Sequence, residues 1–245
     1  MRKILISACF LTFAAPHAFA QQPVKLTTLD WCPFTCPGEA DGGFNSYIAR
    51  EAFKAAGVSV EIEFLPWLRA IEKAKDSQEV VGYFPAYPEG VRPEFTGSPS
   101  IGSSRVGLAL LKNRPVPAAT VEALKPLKIG AVAGYKNSKP LAEAVRGGLK
   151  LDEASDDLTN IRKLAAGRID AAEIDEFVLG HMLHTDSRLA DVKGTVAFKL
   201  NLEEMPLVVA FNKTAAGQKH LALFTQGLAT LNIPELQKAY FAARQ

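Results

Sequence analysis

Short apolar strands and amphipathic helices alternate along most of the chain, and this alternation limits the possible folds more than any other feature. From Val58 to Phe64 every second residue is apolar, which predicts a half-buried strand. The preceding residues 44–56 carry apolar side chains at helical spacing, and a glycine follows as a helix stop. The same sequence of units recurs later in the chain. The pattern predicts an α/β fold in which sheets are flanked by helices.

A proline-rich segment at residues 113–119, NRPVPAA, is the clearest linker in the chain. A second set of strand and helix patterns follows it, and residues 207–211 then form another strongly apolar strand. We therefore expect two lobes with a return of the chain to the first. Residues 21–112 and 204–245 are assigned to lobe 1, and residues 113–203 to lobe 2.

The amino-terminal residues have the pattern of a secretory signal. Arg2 and Lys3 precede an apolar segment at residues 4–15, and Ala20 completes a small-x-small cleavage motif. Residues 1–20 are therefore predicted to be a cleaved signal peptide that directs the chain to the periplasm. An anchoring helix is the alternative, but the apolar segment is shorter than the roughly 20 residues that span a bilayer. Lipidation at Cys9 is a second alternative.

Charge excludes some classes of partner. Removing Arg2 and Lys3 from the 28 basic residues leaves 26, equal to the 26 acidic ones. The mature chain is therefore formally neutral. Nucleic-acid binding normally needs a basic surface, so we expect no nucleic-acid partner and no attraction to anionic membranes.

Two cysteines lie close together in the segment WCPFTCP. An even pair at this spacing in an exported chain favours a disulfide between Cys32 and Cys36. A zinc site would need two more ligands, and the next histidine along the sequence is His181. A redox pair usually has two intervening residues instead of three. We therefore predict a disulfide and no metal site.

Residues 167–176, GRIDAAEIDE, combine a helix stop, a short apolar strand and two carboxylates. Asp175 and Glu176 follow the strand at its carboxyl end, the edge where open α/β sheets bind ligands. A carboxylate there either caps the next helix or holds a cationic group of a ligand. Glu176 fits a charge in the first turn of that helix.

Four segments together resemble one family. They are GRIDAAEIDE, LKIGAVAGYKNS, EFLPWLRAIEKA and VGYFPAYPEGVRPEFTGSPSI. They are similar to segments of the periplasmic solute-binding proteins of ABC transporters, family 3, the polar amino-acid binders. The resemblance implies a type II periplasmic binding protein fold with two hinge crossovers. It also implies a monomer that holds one small polar solute, an amino acid in the first place, in the interlobe cleft. It implies delivery to an ABC transporter permease, without a cofactor.

The resemblance also implies roles for particular residues. Asp175 corresponds to the family's aspartate that holds the ligand ammonium. Arg92 is the nearest match to the arginine that holds the ligand carboxylate, and a guanidinium suits that role because its donors form a rigid fork. Arg69 and Arg105 are substitutes for Arg92, because the segment around Arg92 departs from the family pattern. Trp31 and Tyr87 are expected to form aromatic walls, with a core position as the alternative.

At residues 134–136 the chain reads Gly-Tyr-Lys where many members of the family carry Gly-Thr-Thr. Tyr135 is therefore expected in the ligand pocket, where it would change the shape and Lys136 the charge. Glu173 lies on the same strand face as Asp175 and is the remaining predicted ligand contact. An enzyme is the alternative to a binding protein, since cyclohexadienyl dehydratases resemble the same family and two carboxylates with separated pKa values can act as acid and base. No other catalytic motif is present, so no enzyme activity is expected.

Overall fold

A computed structural model of the chain describes residues 22–243, and the predicted signal peptide lies outside the described residues. The strands are β1 (Val24–Thr28), β2 (Val60–Phe64), β3 (Val80–Ala86), β4 (Phe95–Gly97), β5 (Gly102–Leu111), β6 (Ile129–Val132), β7 (Asp152–Ala154), β8 (Ala171–Asp175) and β9 (Val196–Asn212). The helices are α1 (Phe44–Ala55), α2 (Trp67–Asp76), α3 (Val121–Leu124), α4 (Lys139–Arg146), α5 (Asp157–Ala165), α6 (Glu176–Thr185), α7 (Ala215–Leu228) and α8 (Ile233–Ala242).

The strands follow the order β2-β1-β3-β9-β5-β8-β6-β7, with β4 paired to β9. In the first half β1 is parallel to β2 and β3, and β3 is antiparallel to β9. In the second half β6 is parallel to β7 and β8, while β5 is antiparallel to β8 and β9. Parallel strands joined by helices bury both of their faces, which explains why β3 and β8 are buried at every position.

Each half has packed apolar side chains of its own. In the first, Phe53 of α1 contacts Phe211 of β9 and Phe224 of α7, with ring centroids 5.1–6.3 Å apart. In the second, Leu108 and Leu141 belong to a separate buried cluster. Aromatic pairs at these distances stabilise a core by about 0.5–1.5 kcal/mol beyond their buried area. The cluster that contains Phe53 also includes Ile161 and Leu164 of α5, so buried apolar packing continues from the first half into the second.

Strand β9 joins the two halves. We predicted that residues 207–211 form a strand of their own, and this was wrong, because they are the end of one strand of 17 residues. Its first part pairs with β5 as far as Leu207, and its last part pairs with β3 and β4. We call the paired strands β5 and β9 the hinge ribbon. The lobe boundaries at residues 112 and 203 stay a prediction.

The predicted disulfide between Cys32 and Cys36 is present and closes a loop between β1 and α1. The backbone N–H of Cys36 donates to the carbonyl of Gly42 at 2.7 Å. Gly43 follows with φ 88°, and a Cβ atom there would lie 2.7 Å from the carbonyl oxygen of Phe34. Only glycine fits such a position without strain. The loop is thereby fixed with Trp31 at its start. Among residues 22–243, no helix is long and apolar enough to cross a membrane.

Candidate functional site

A cavity of about 270 Å³ opens between the two halves of the chain. Its walls come from both, and include Trp31, Trp67, Tyr87, Arg92, Tyr135 and Lys136. We call it the outer cavity. A much smaller inner cavity, of about 20 Å³, shares Trp31, Tyr87, Tyr135 and Lys136 with it. The inner cavity also reaches Asp157, Glu173 and Asp175, which we call the carboxylate cluster. Of the six predicted ligand contacts, the structure therefore brings five to the inner cavity and Arg92 to the outer one.

A larger depression of about 740 Å³ lies near α8 and is lined by Arg105, Glu204 and Gln237 among others. None of the six predicted ligand contacts lines it. Ligand sites are marked by convergent polar groups with perturbed pKa values as well as by size. We therefore place the candidate site at the inner and outer cavities.

Asp175 ends β8 and caps α6. Its Oδ1 accepts hydrogen bonds from the backbone N–H groups of Phe177 at 2.7 Å and Val178 at 3.0 Å, and its Oδ2 accepts one from Ser104 Oγ at 2.7 Å. The capping alternative is thus confirmed, and the ligand role stays a prediction. Burial raises the pKa of Asp175 to about 6, although the hydrogen bond from Ser104 opposes that rise. Glu176 lies in the first turn of α6 and pairs with Arg105.

Glu173 lies two residues earlier on β8, on the face that points into the inner cavity. Its Oε1 accepts hydrogen bonds from both the backbone N–H and the hydroxyl of Ser138, at 3.0 and 2.6 Å. Ser138 is the residue that precedes α4. Burial raises the pKa of Glu173 to about 7, while the bonds from Ser138 lower it. A carboxyl group with this pKa holds its proton more readily than an exposed glutamate does.

Asp157 completes the carboxylate cluster, and the sequence reasoning did not identify it. It is the first residue of α5, directly after the capping residue Asp156. Burial, together with the charges of Asp175 and Asp156, raises the pKa of Asp157 to about 7. The indole N–H of Trp31 approaches its carboxylate. A signal was available, because the Asp156-Asp157 pair follows a strand just as Asp175-Glu176 does.

Aromatic side chains form the other walls. The hydroxyls of Tyr87 and Ser104 are 2.9 Å apart, so Ser104 connects Tyr87 to Asp175. Burial raises the pKa of both Tyr87 and Tyr135 well above the usual value. The ring of Trp67 packs edge-on against Tyr135 with centroids 6.2 Å apart. Trp67 is partly buried against the core and also lines the outer cavity.

Positive charge is scarce around the carboxylate cluster. Arg92 is exposed at the outer cavity, and its backbone N–H donates to the hydroxyl of Tyr83. Arg69 is exposed, and Arg105 pairs with Glu176. Lys136 is the only cationic side chain among the described residues that line the inner cavity. Its Nζ is 3.6 Å from the carboxylate of Glu89.

The disulfide lies next to a histidine that is distant in sequence. The ligand atoms of Cys32, Cys36 and His181 all fall within 4.8 Å of one another. The zinc alternative therefore had a third donor that sequence distance concealed. Both sulfur atoms are used in the disulfide, and a sulfur in a disulfide is not the thiolate that zinc binds.

Comparison with known proteins relates the chain to others by structure. No family model matches the sequence, and no curated protein does. A histidine kinase sensor domain with similarity to periplasmic binding proteins superposes with a TM-score of 0.73 at 18% identity, covering 90% of this chain and 96% of that one. The GluR0 ligand-binding core from Nostoc punctiforme, in complex with L-glutamate, gives 0.69 at 16% identity, with 89% and 99% covered. An ancestral arginine-binding protein bound to arginine gives 0.71 at 17%, with 91% and 99% covered.

These similarities define the class of fold. The chain has the two-lobed fold of periplasmic binding proteins, type II, with sheets flanked by helices. The predicted fold class is thereby confirmed. At such low identity the similarity shows the fold alone, and the functional argument rests on the residues of the site.

Proposed function

We propose that this chain is exported to the periplasm through a cleaved signal peptide. There it binds a small polar solute that carries a cationic nitrogen, as an amino acid does, and delivers it to an ABC transporter permease. The observation that carries the proposal is the carboxylate cluster, which lies at an interlobe cavity with aromatic walls. Buried carboxylates attract an ammonium group strongly because water screens them little.

Structural neighbours support the same class of ligand. The GluR0 core was solved with L-glutamate, and ancestral arginine-binding proteins were solved with arginine and with glutamine. A solute in the cleft of this chain would touch both lobes, and it would therefore stabilise a closed arrangement through the hinge ribbon.

The test is a thermal-shift and calorimetry panel on the purified mature chain, with amino acids, amines and small carboxylic acids. A ligand that binds only the folded state stabilises it by about 2.7 kcal/mol at a hundredfold excess over Kd. One or a few nitrogen-containing solutes should raise the melting temperature. If none does, the proposed function is wrong.

An enzyme of the cyclohexadienyl dehydratase type is the second candidate. The observation that favours it is the pair Glu173 and Asp157, because a pKa of about 7 suits general acid–base work. The cluster's negative charge disfavours it, since the substrates of such enzymes are carboxylic acids. Consumption of prephenate by the purified chain, followed by absorbance, would favour the enzyme over the binding protein.

A further inference from the structure

We infer that the solute is a linear organic cation, either a primary amine or a guanidine, and that it has no carboxylate group. This inference rests on the proposed function and narrows it. Its basis is that the protein's own carboxylates accept from backbone N–H groups at the helix ends around the inner cavity, where a ligand carboxylate would otherwise bind. Among the described residues, the carboxylate cluster itself is left without a cationic partner.

The amino-terminal end of α4 shows the first part of this arrangement. In a sheet of this kind, helix amino-termini are the usual anion sites, because their backbone N–H groups lack partners within the helix. Here the N–H of Ser138 donates to Glu173, and the N–H of Lys139 donates to Glu203 at 2.7 Å. The next residue, Pro140, has no N–H. Internal carboxylates therefore replace a ligand carboxylate at this helix end.

The two helices that border the cluster repeat the arrangement. At α5 the N–H of Thr159 donates to Asp156 at 2.8 Å. At α6 the N–H groups of Phe177 and Val178 donate to Asp175. A ligand carboxylate at these two helix ends would thus meet carboxylates that already occupy the donors, and Lys136 is the one cationic side chain among the described residues at the inner cavity. Two carboxylates that lie close together repel strongly when they are buried, because little water screens their charges.

The cluster also has unused capacity for a cation. Asp157 and Glu173 are each only 8% exposed. Among residues 22–243, no lysine or arginine forms an ion pair with any member of the cluster, and the Oε2 atom of Glu173 accepts no hydrogen bond. Buried carboxylates normally have a cationic or hydrogen-bonding partner. Glu173 has hydrogen bonds from Ser138 and Asp157 has the indole of Trp31, so the missing partner is a cation, which a ligand ammonium or guanidinium would supply.

The cavity walls fit the rest of such a ligand. The inner cavity, of about 20 Å³, has room for one ammonium group, which is about the size of a water molecule. The outer cavity, of about 270 Å³, has room for an alkyl chain and a second head group. Trp31, Tyr87 and Tyr135 line both cavities, and aromatic faces attract organic cations. At the outer cavity Glu89 pairs with Lys136 at 3.6 Å and with Lys139 at 3.7 Å, and a second cationic group of the ligand would take the place of one of these lysines.

Matched pairs of ligands test the inference, because each pair differs only by one carboxylate. Calorimetry at pH 8 would compare 1,5-diaminopentane with lysine, 1,4-diaminobutane with ornithine, and agmatine with arginine. We expect at least one of the amines to bind at least tenfold more tightly than its amino acid. If the amino acids bind and the amines bind more weakly, the inference is wrong and the proposed function stands. If no member of these pairs and no other nitrogen-containing solute binds, the proposed function fails as well.

A variant tests the mechanism separately. Glu173→Ala would release the two donors of Ser138 for a ligand carboxylate. The preference for the amine over its amino acid should then fall at least tenfold. Glu153→Gln removes an exposed carboxylate of β7, and it should leave the preference unchanged. An unchanged preference in Glu173→Ala, in a variant that melts as cooperatively as the parent chain, would contradict the inference.

Discussion

The indole Nε1 of Trp67 donates a hydrogen bond to the backbone carbonyl of Gly134, at 3.3 Å. Trp67 belongs to α2, which packs on β1 and β3, whereas Gly134 follows β6 of the other sheet. The bond therefore crosses the outer cavity. It is a direct link between the two halves of the chain that does not depend on the hinge ribbon.

Loss of this bond should weaken ligand binding. Trp67→Phe keeps an aromatic ring against Tyr135 and removes the donor. A neutral hydrogen bond contributes about 0.5–1.5 kcal/mol, which corresponds to a rise in Kd of roughly two- to tenfold. Calorimetry with the tightest-binding ligand of the panel would measure the Kd of the variant and of the parent chain. An unchanged Kd would mean that the closed arrangement does not depend on this contact.

Substitutions at Asp175 should separate its two roles. Asparagine also caps helices well, so Asp175→Asn should retain the fold while it removes the charge. Loss of a buried charge partner costs roughly 3–5 kcal/mol, or two to three decades or more in affinity. Asp175→Ala should lose stability in addition, by about 1 kcal/mol. Calorimetry on both variants would measure the loss of affinity, and chemical denaturation would measure the loss of folding stability, with Glu153→Gln as the control. Unchanged affinity in Asp175→Asn would reduce Asp175 to a helix cap.

Stability without ligand should fall as the pH rises from about 4.5 to about 8. Burial raises the pKa of Glu173 from 4.5 to about 7, so in this window the folded chain binds more protons than the unfolded chain. Its contribution is fully present below pH 4.5 and is lost as the pH rises through the folded pKa. The rise in pKa corresponds to at most about 3 kcal/mol.

Urea denaturation of the parent chain and of Glu173→Gln at several pH values would test this expectation. The difference in unfolding free energy between the parent chain and Glu173→Gln isolates the titration of Glu173. The neighbouring charged groups that face it are present in both proteins: Asp157, Asp175, Glu203 and Lys136. The variant should gain stability relative to the parent as the pH rises. A difference that stays constant with pH would contradict the raised pKa.

Reduction of the disulfide should destabilise the chain. The Cys32–Cys36 bond closes a loop with a sequence separation of 4, and loop-closure entropy gives about 2 kcal/mol for a loop this short. The double variant Cys32→Ser/Cys36→Ser should lose that amount in urea denaturation, and reductant should have no effect on it. If reductant leaves the parent chain equally stable, the loop is held by Gly43 and the buried Phe34 alone.

The sequence predicted best what local rules decide. Gly167 ends one helix, an apolar run forms β8, and Asp175 caps the next helix, so each step follows from its neighbours. The alternation along β8 also placed Glu173 beside Asp175 correctly. These positions need no knowledge of distant segments. The α/β class followed from the alternation of strands and helices over the whole chain, and the type II periplasmic binding protein fold from the resemblance of four segments to a known family.

What the sequence did not predict depends on tertiary contacts. Asp157 enters the site because α5 packs beside β8. The Asp156-Asp157 pair after a strand marks a helix start, but the local sequence does not show that this helix start lies next to Asp175. Residues 203–206 interrupt the apolar pattern with Glu203, Glu204 and Pro206, so the continuity of β9 was missed. Pairing with β5 holds that stretch extended. Arg92 lies in the loop between β3 and β4. A loop has no repeating spacing of apolar residues from which its shape could be predicted.

The position of β9 in the sheet also affects the order in which the strands can pair while the chain is being synthesised. β9 lies between β3 and β5, yet it comes after every other strand in the chain. During synthesis from the amino-terminus, the first sheet therefore lacks the partner of β3 and β4 until residue 212 has emerged. Contacts between such distant segments form late and slow folding. A truncated chain that ends before β9 would consequently leave strand edges open on both halves, a state prone to aggregation.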